Sequence, residues 1–208
     1  MIALQRPELR LVLASSSPAR RRLLEAAAVT LEVRTSPVDE AMVREGLKAD
    51  GVAGDEAAVA LASLKGERVA MAAGRDEILL AGDQLLETAD GAWPDKPEDT
   101  AALAAQLARL AGTTHTLHTA AVLFRGGSRV WHHVASPKVT LRALSADFIQ
   151  RYVALAGDDV LGCVGGYQIE GLGAHVLANI RGDAYAVQGL PLLPVLAALR
   201  TQGVLWDG

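Results

Sequence analysis

Short apolar runs alternate with alanine-rich segments of helical periodicity through the first half of the chain, and this alternation is the strongest constraint on its fold. The apolar runs have the length and the branched residues of buried strands, whereas the longer segments begin and end at helix signals such as Pro and Gly. Strands that alternate with helices indicate a mixed α/β protein. The sequence predicts strands over 9–15, 30–36 and 77–87, and helices over 18–28, 54–74 and 97–112.

The second half of the chain predicts a strand pair and two helices around a glycine-rich segment. The predicted elements are two strands over 114–144 joined at Gly126-Gly127, a helix over 145–157 capped by Ser145, and a last helix over 190–200. Because no internal repeat is present, the pattern predicts a single domain, residues 1–208, with the glycines of 112–127 as a candidate boundary between two lobes.

The composition excludes several classes of protein. Hydrophobic residues make up 50% of the 208 residues, which is enough for a sizeable core without disulfides or structural metals. The single cysteine, Cys163, excludes a disulfide within the chain. A net charge of −4 argues against a general nucleic-acid-binding protein, which needs a basic surface. Neither a signal peptide nor an apolar run of about 18 residues is visible, so we expect a cytoplasmic protein that does not enter a membrane.

A cluster of serines and arginines, LASSSPARRRLL, lies where the first strand gives way to the first helix. The first N–H groups of a helix are unpaired and its dipole favours an anion there. Ser15 and Ser17 add hydroxyl groups, while Arg20 and Arg21 add guanidinium groups suited to phosphate. The cluster is therefore a candidate phosphate cradle. On composition alone, a solvated helix face is the favoured alternative.

Further charged residues fall at positions where an α/β protein places its chemistry. Asp83 lies at the end of an apolar strand, where it would hold Mg²⁺, accept a proton from water or cap a turn. Asp39 and Glu40 lie in a loop after another predicted strand. Their carboxylates would be either metal ligands or solvated side chains. Lys65 and Lys96 are the lysines placed to reach a triphosphate, although each alone fits a surface position.

The common nucleotide and zinc motifs are absent from the sequence. There is no G-x-x-x-x-G-K-[ST], and GLGAHV at 171–176 fails the dinucleotide fingerprint at its last position. No pair of histidines has zinc-site spacing with cysteine. His115 fits a hydrogen-bonded structural role, and Cys163, with no base beside it in the sequence, fits an inert core thiol.

Nine short motifs, taken together and in order, resemble the Maf-type nucleoside triphosphate pyrophosphatases. The resemblance spans about residues 9–200. The motifs are LASSSPARRRLL, VDE (38–40), LASLKGE, AGDQ (81–84), DKP (95–97), GTTHTLHTA (112–120), LSADFIQRYV (144–153), GGYQIEGLG (165–173) and VQGLPL (187–192).

The resemblance implies an elongated mixed sheet flanked by helices, with two lobes around a central cleft. It implies a cytosolic homodimer that uses a divalent cation, Mg²⁺ or Mn²⁺, to cleave a nucleoside triphosphate into a monophosphate and pyrophosphate. By position, Asp83 matches the proton acceptor, and Glu40 and Asp83 match the metal-binding acids. The implied phosphate-binding residues are Ser15, Ser17, Arg20, Arg21, Lys65 and Lys96, with the three arginines of 20–22 facing the leaving pyrophosphate.

Three positions resemble the 7-methyl-GTP branch of the family more than the dTTP/UTP branch. Ala19 is inserted between Pro18 and Arg20. In addition, Gln84 follows Asp83, and Glu170 precedes Gly171. We therefore expect Ala19, Gln84 and Glu170 to set base specificity. Ala19 stands where that branch usually carries Trp, so a stacking contact to the base is missing. The alternative is a dTTP/UTP enzyme.

Two other functions remain open at this level. A module that only binds phosphorylated ligands would need the cradle and not Asp83. A non-catalytic nucleotide-binding regulator of septum formation, a role also associated with the family, would need a partner surface. Release of pyrophosphate that depends on Asp83 separates an enzyme from both.

Overall fold

The computed structural model describes residues 4–35, 39–74 and 76–207, and its elements confirm the predicted mixed α/β class. The strands are β1 (Arg10–Leu13), β2 (Glu32–Val33), β3 (Glu77–Glu87), β4 (Thr114–Arg125), β5 (Ser128–Ala135), β6 (Lys138–Leu141) and β7 (Leu177–Arg181). The helices are α1 (Pro18–Ala26), α2 (Glu40–Ala49), α3 (Gly54–Ala70), α4 (Thr100–Leu110), α5 (Ala146–Ala156), α6 (Ala184–Val187) and α7 (Leu192–Thr201). Short 3-10 helices cover Gly157–Val160 and Leu172–Val176. Among the described helices, none combines the length and apolarity needed to cross a membrane.

The seven described strands form one mixed sheet in the order β2-β1-β3-β4-β6-β7, with β5 paired to β4 outside this path. β2 and β3 both run parallel to β1. β4 has two antiparallel partners, since β6 pairs with Thr114–Thr116 and β5 with Thr119–Arg125. Pro137 separates these partners because a proline cannot donate a hydrogen bond to a continuous strand ladder.

The chain forms two compact units, each assembled from separate stretches. The first unit comprises the described residues of Met1–Asp83, Thr119–Ala135 and Gly189–Gly208, and the second comprises Gln84–His118 and Ser136–Gln188. The chain therefore passes from one unit to the other four times, after residues 83, 118, 135 and 188.

Each unit has its own hydrophobic core. In the first unit, leucines of β1 pack with Leu23 and Leu24 of α1, and with Val195 and Leu199 of α7. In the second unit, Leu103, Leu107 and Leu110 line one face of α4 and pack with buried residues of α5. The spacing of these leucines places them on one face of α4.

Several local predictions are confirmed by the backbone. Gly126 and Gly127 have φ values of +56° and +79° and form the two-residue turn between β4 and β5, because a tight hairpin of this kind needs positive φ at both positions. Ser145 caps α5 by accepting a hydrogen bond from the Phe148 N–H at 3.2 Å. Gly157 ends that helix at φ +55°.

Other local predictions are wrong. α3 ends at Ala70 and not at Gly74, and β2 is confined to Glu32–Val33. The region read as two strands holds a third, β6, and the glycine-rich segment contains β7 and α6. α2 was not predicted, and it has no fully buried residue to give it a clear apolar face. Val38 of the VDE motif lies outside the described residues.

Candidate active site

The junction between β1 and α1 is built by a serine cap and a proline. Ser17 is the N-cap of α1, and its side chain accepts a hydrogen bond from the Arg20 N–H at 3.4 Å. Pro18 occupies the first helical position, where its missing N–H leaves no bond unmade. Ser15, directly after β1, is buried, and its hydroxyl accepts from the Ser17 N–H at 3.3 Å. The cap and the proline together fix where α1 begins.

Arg20 points from α1 into the protein and is only 8% exposed. Its Nε donates to the main-chain carbonyl of Gly189 at 2.7 Å, and its Nη1 donates to the Ser15 hydroxyl at 2.9 Å. Burial lowers the pKa of the Arg20 guanidinium, while the negative charges of Asp83 and Glu40 act in the opposite direction. Because an arginine titrates so far above neutrality, the side chain stays a cation that is held in one orientation.

Lys65 joins the two acids that the sequence singled out. Its ammonium group, from the middle of α3, lies 2.8 Å from Glu40 Oε2 and 3.1 Å from Asp83 Oδ2. Asp83 is a buried residue of β3, and Glu40 is the half-exposed first residue of α2. Asp39, which is exposed, caps that helix by accepting from the Met42 N–H at 3.1 Å. The first unit therefore concentrates two cations and two carboxylates in one region.

The three consecutive arginines do not share an environment. Successive helix residues are rotated by about 100°, so only one of three neighbours can point inward. Arg20 takes this position, whereas Arg21 lies on the surface of α1, 3.6 Å from Glu25 one turn later. Arg22 is exposed. Phosphate binding by Arg21 stays a prediction.

The remaining four candidates are Gln84, Glu170, Lys96 and Ala19. Gln84 belongs to the second unit, where its amide Nε2 donates to the carbonyls of Ala186 and Val187 at 2.8 and 3.3 Å. Glu170 is exposed in the turn before the second 3-10 helix. Lys96 is exposed between β3 and α4, without a hydrogen bond or ion pair to any described residue. Ala19, in the first unit, is half-buried on α1, and the roles of all four side chains stay predictions.

Sequence reasoning missed two features of this site. The first is the Gly189 carbonyl, which binds a side chain 169 positions away. A main-chain acceptor leaves no trace in residue type, and its only signal was the glycine of the VQGLPL motif. The second is the pairing of Glu40 with Lys65. The sequence analysis considered the two residues separately, Glu40 as a metal ligand or a solvated side chain and Lys65 as a phosphate ligand or a surface lysine.

The acids fit a divalent cation of the kind that a triphosphate brings with it. Within the described residues, no cluster of three or more His, Cys, Asp or Glu side chains could hold a metal by itself. Asp83 and Glu40, however, both reach the same ammonium group, so their carboxylates converge on one small volume. Mg²⁺ commonly takes one or two carboxylates together with substrate phosphates.

The fold and this cluster define a mixed α/β protein with a buried arginine at its first strand–helix junction and a lysine between two carboxylates. Comparison with known proteins agrees with this class. The family model described as Maf-like protein matches residues 10–202. The nucleoside triphosphate pyrophosphatase of Rhodospirillum rubrum is 44% identical over 194 residues, which cover 93% of this chain and 95% of that relative. The 7-methyl-GTP pyrophosphatase of Rhizobium etli is 40% identical over 199 residues, covering 96% and 98% respectively. This chain belongs to the Maf-like protein family.

Proposed function

We propose that this protein hydrolyses a nucleoside triphosphate to a nucleoside monophosphate and pyrophosphate. The names of its relatives give the reaction class. The observation that carries the proposal is the Lys65 ammonium held between the carboxylates of Asp83 and Glu40, in the same unit as the buried cation of Arg20. Fixed cations beside a candidate base are what the cleavage of a polyanion requires.

In the proposed reaction, water attacks the α-phosphorus and Asp83 accepts its proton. A bond forms between the water oxygen and the α-phosphorus, while the bond to the oxygen that bridges the α- and β-phosphates breaks. The electron pair of the broken bond stays on the leaving pyrophosphate. Arg20 and Lys65 stabilise this developing charge more than they stabilise the bound substrate. Ser15 keeps the Arg20 guanidinium in place throughout.

Asp83 and Glu40 would hold a divalent cation, Mg²⁺ or Mn²⁺, together with phosphate oxygens of the substrate. When bound, the cation would supply positive charge to the phosphate oxygens. The proposal predicts that removing divalent cations with a chelator abolishes turnover and that adding Mg²⁺ restores it.

For the base, we propose 7-methyl-GTP as the preferred substrate, with UTP or dTTP as the alternative. Glu170 offers only acceptors, whereas the guanine edge presents two adjacent donors, N1–H and the N2 amino group. Methylation at N7 makes the base positive and strengthens pairing with a carboxylate. Relatives named for this substrate are among those similar to the chain. The homodimer and the cytoplasmic location implied by the resemblance stay predictions.

The test compares Asp83→Asn with the wild type, measuring pyrophosphate and inorganic phosphate separately. The wild type should release pyrophosphate, and Asp83→Asn should lower turnover at least about a hundredfold, the usual scale for loss of a general base. Asp147→Asn, which changes an exposed acid in the first turn of α5, serves as the matched control and should leave turnover unchanged. Near-normal turnover by folded Asp83→Asn would refute the assignment, and binding without hydrolysis by the wild type would favour a regulator.

A further inference from the structure

Gly189 holds Arg20 through its main chain. Its carbonyl oxygen accepts the Arg20 Nε–H at 2.7 Å, the shorter of the two bonds to the guanidinium. Gly189 is buried and has φ +108°, a conformation that residues with a side chain rarely adopt. The direction of this carbonyl therefore depends on a backbone conformation that favours glycine.

Space is not the reason for a glycine here. A Cβ added to Gly189 would lie 3.8 Å from Arg20 Nε and 3.9 Å from Arg20 Cγ, which are ordinary van der Waals distances. A methyl group would fit beside the arginine without displacing it. What a side chain would disturb is φ, and with it the direction of the carbonyl that binds Nε.

The two bonds leave one end of the guanidinium available. A guanidinium carries five N–H donors. The Nε–H goes to Gly189 and one Nη1 hydrogen goes to Ser15. Across residues 4–35, 39–74 and 76–207, no acceptor takes the hydrogens of Nη2. The bound carbonyl and hydroxyl therefore decide which edge of Arg20 remains open to an anion.

We infer that Gly189 is a positioning residue, whose carbonyl turns the Arg20 guanidinium so that its Nη2 edge meets the phosphates. This inference rests on the proposed function, in which Arg20 stabilises the leaving pyrophosphate. Neither the charge of Arg20 nor its position on α1 would fix that edge without an acceptor on Nε.

The first experiment compares Gly189→Ala with a glycine that carries similar backbone strain away from the site. Gly203 belongs to the same unit and has φ +77°, and its added Cβ would meet only Leu9 Cδ1 at 3.9 Å. Both variants should lower the melting temperature. Gly189→Ala alone should lower kcat/KM, by about ten- to a hundredfold, the range for one charge-assisted hydrogen bond. Equal kcat/KM in the two variants would overturn the inference.

The second experiment is a double-mutant cycle with Arg20→Lys, which keeps the positive charge and removes the Nε donor. If Gly189 acts through Arg20, adding Gly189→Ala to Arg20→Lys should change kcat/KM by less than about twofold. If Gly189 had a purely structural role, the losses of kcat/KM in the two single variants would multiply in the double variant. That result would also refute the positioning of Arg20 by Gly189.

A third measurement does not depend on activity. The wild type should show a slowly exchanging Arg Nε–H signal in ¹H–¹⁵N NMR, assigned by its loss in Arg20→Lys. The signal should move in Gly189→Ala and stay in place in Gly203→Ala. A wild type that releases no pyrophosphate from any triphosphate would refute the proposed function alone, whereas a fast-exchanging or absent signal would refute the positioning by Gly189.

Discussion

Glu77→Gln tests a buried carboxylate that two arginines contact. Glu77 begins β3 and is 4% exposed. Arg34 binds it with two hydrogen bonds, Nη1 to Oε2 at 3.0 Å and Nη2 to Oε1 at 3.2 Å. The Gly74 N–H adds a bond to Oε2 at 2.9 Å, and Arg10 lies 3.3 Å from Oε1. The substitution keeps the shape of the side chain and removes its charge.

The size of the effect follows from the pKa of Glu77. The hydrogen bonds from Arg34, then the Gly74 N–H, lower this pKa from 4.5 to about 2, although burial opposes the change. A difference of that size corresponds to about 3 kcal/mol, at 1.36 kcal/mol per pH unit. Because the folded pKa lies below the unfolded value, this stability is fully present above about pH 4.5. It is lost as the pH falls toward 2.

Urea unfolding of the wild type and Glu77→Gln at several pH values between 7 and 2.5 measures this contribution. The gap in unfolding free energy should be about 3 kcal/mol at pH 7 and should shrink below pH 4.5. Glu67→Gln, an exposed glutamate of α3 in the same unit, is the matched control and should change stability by less than about 0.5 kcal/mol. A gap under 1 kcal/mol at pH 7, or one that does not change with pH, would refute the reasoning.

Three further predictions concern the site and the second core. Arg20→Ala and Lys65→Ala should each reduce kcat/KM for a triphosphate about ten- to a hundredfold, since each removes charge-assisted bonds of about 1.5–3 kcal/mol. The circular dichroism spectra should change little. Unchanged kinetics in both variants would mean that neither cation contacts the substrate. Glu170→Gln should shift the ratio of kcat/KM for 7-methyl-GTP and UTP toward UTP by about ten- to a hundredfold, and an unchanged ranking would show that Glu170 does not read the base. Burial lowers the pKa of His115 to about 4. As the pH falls, the unfolded chain therefore binds a proton before the folded protein does, and the free energy of unfolding should decline between about pH 6.5 and 4. Unfolding of His115→Gln should lack this decline, and identical pH dependence in both proteins would contradict it.

Local sequence signals predicted much of the fold. β3 was predicted with its observed bounds, 77–87, because apolar residues lie on both sides of the polar pair Asp83-Gln84. α4 was predicted from the proline and glycine at its ends, and α5 from its cap at Ser145 and its end at Gly157. α2 was not predicted, and none of its residues is fully buried.

The candidate site was predictable in its residue types and not in its contacts. Asp83 stood out as an acid at the predicted end of an apolar strand, where α/β proteins open onto clefts; in the structure it lies inside β3, four residues before the strand ends. The arginine run was visible, but the sequence could not tell which of the three would point inward, because that depends on how α1 packs against the sheet. The bond from Arg20 to Gly189 joins residues 169 positions apart, and no local pattern records such a pairing.

The three stretches of the first unit are synthesised at different times, and this has a consequence for folding on the ribosome. Ser15, Arg20, Lys65 and Asp83 are all made in the first 83 residues. Gly189, which holds Arg20, arrives only with the last stretch of the chain. Domains generally fold as units during translation, yet a nascent chain that stops before residue 189 leaves the Arg20 Nε–H without its acceptor. A chain that terminates between residues 83 and 189 therefore carries every charged residue of the cluster and lacks the carbonyl that binds Arg20 Nε.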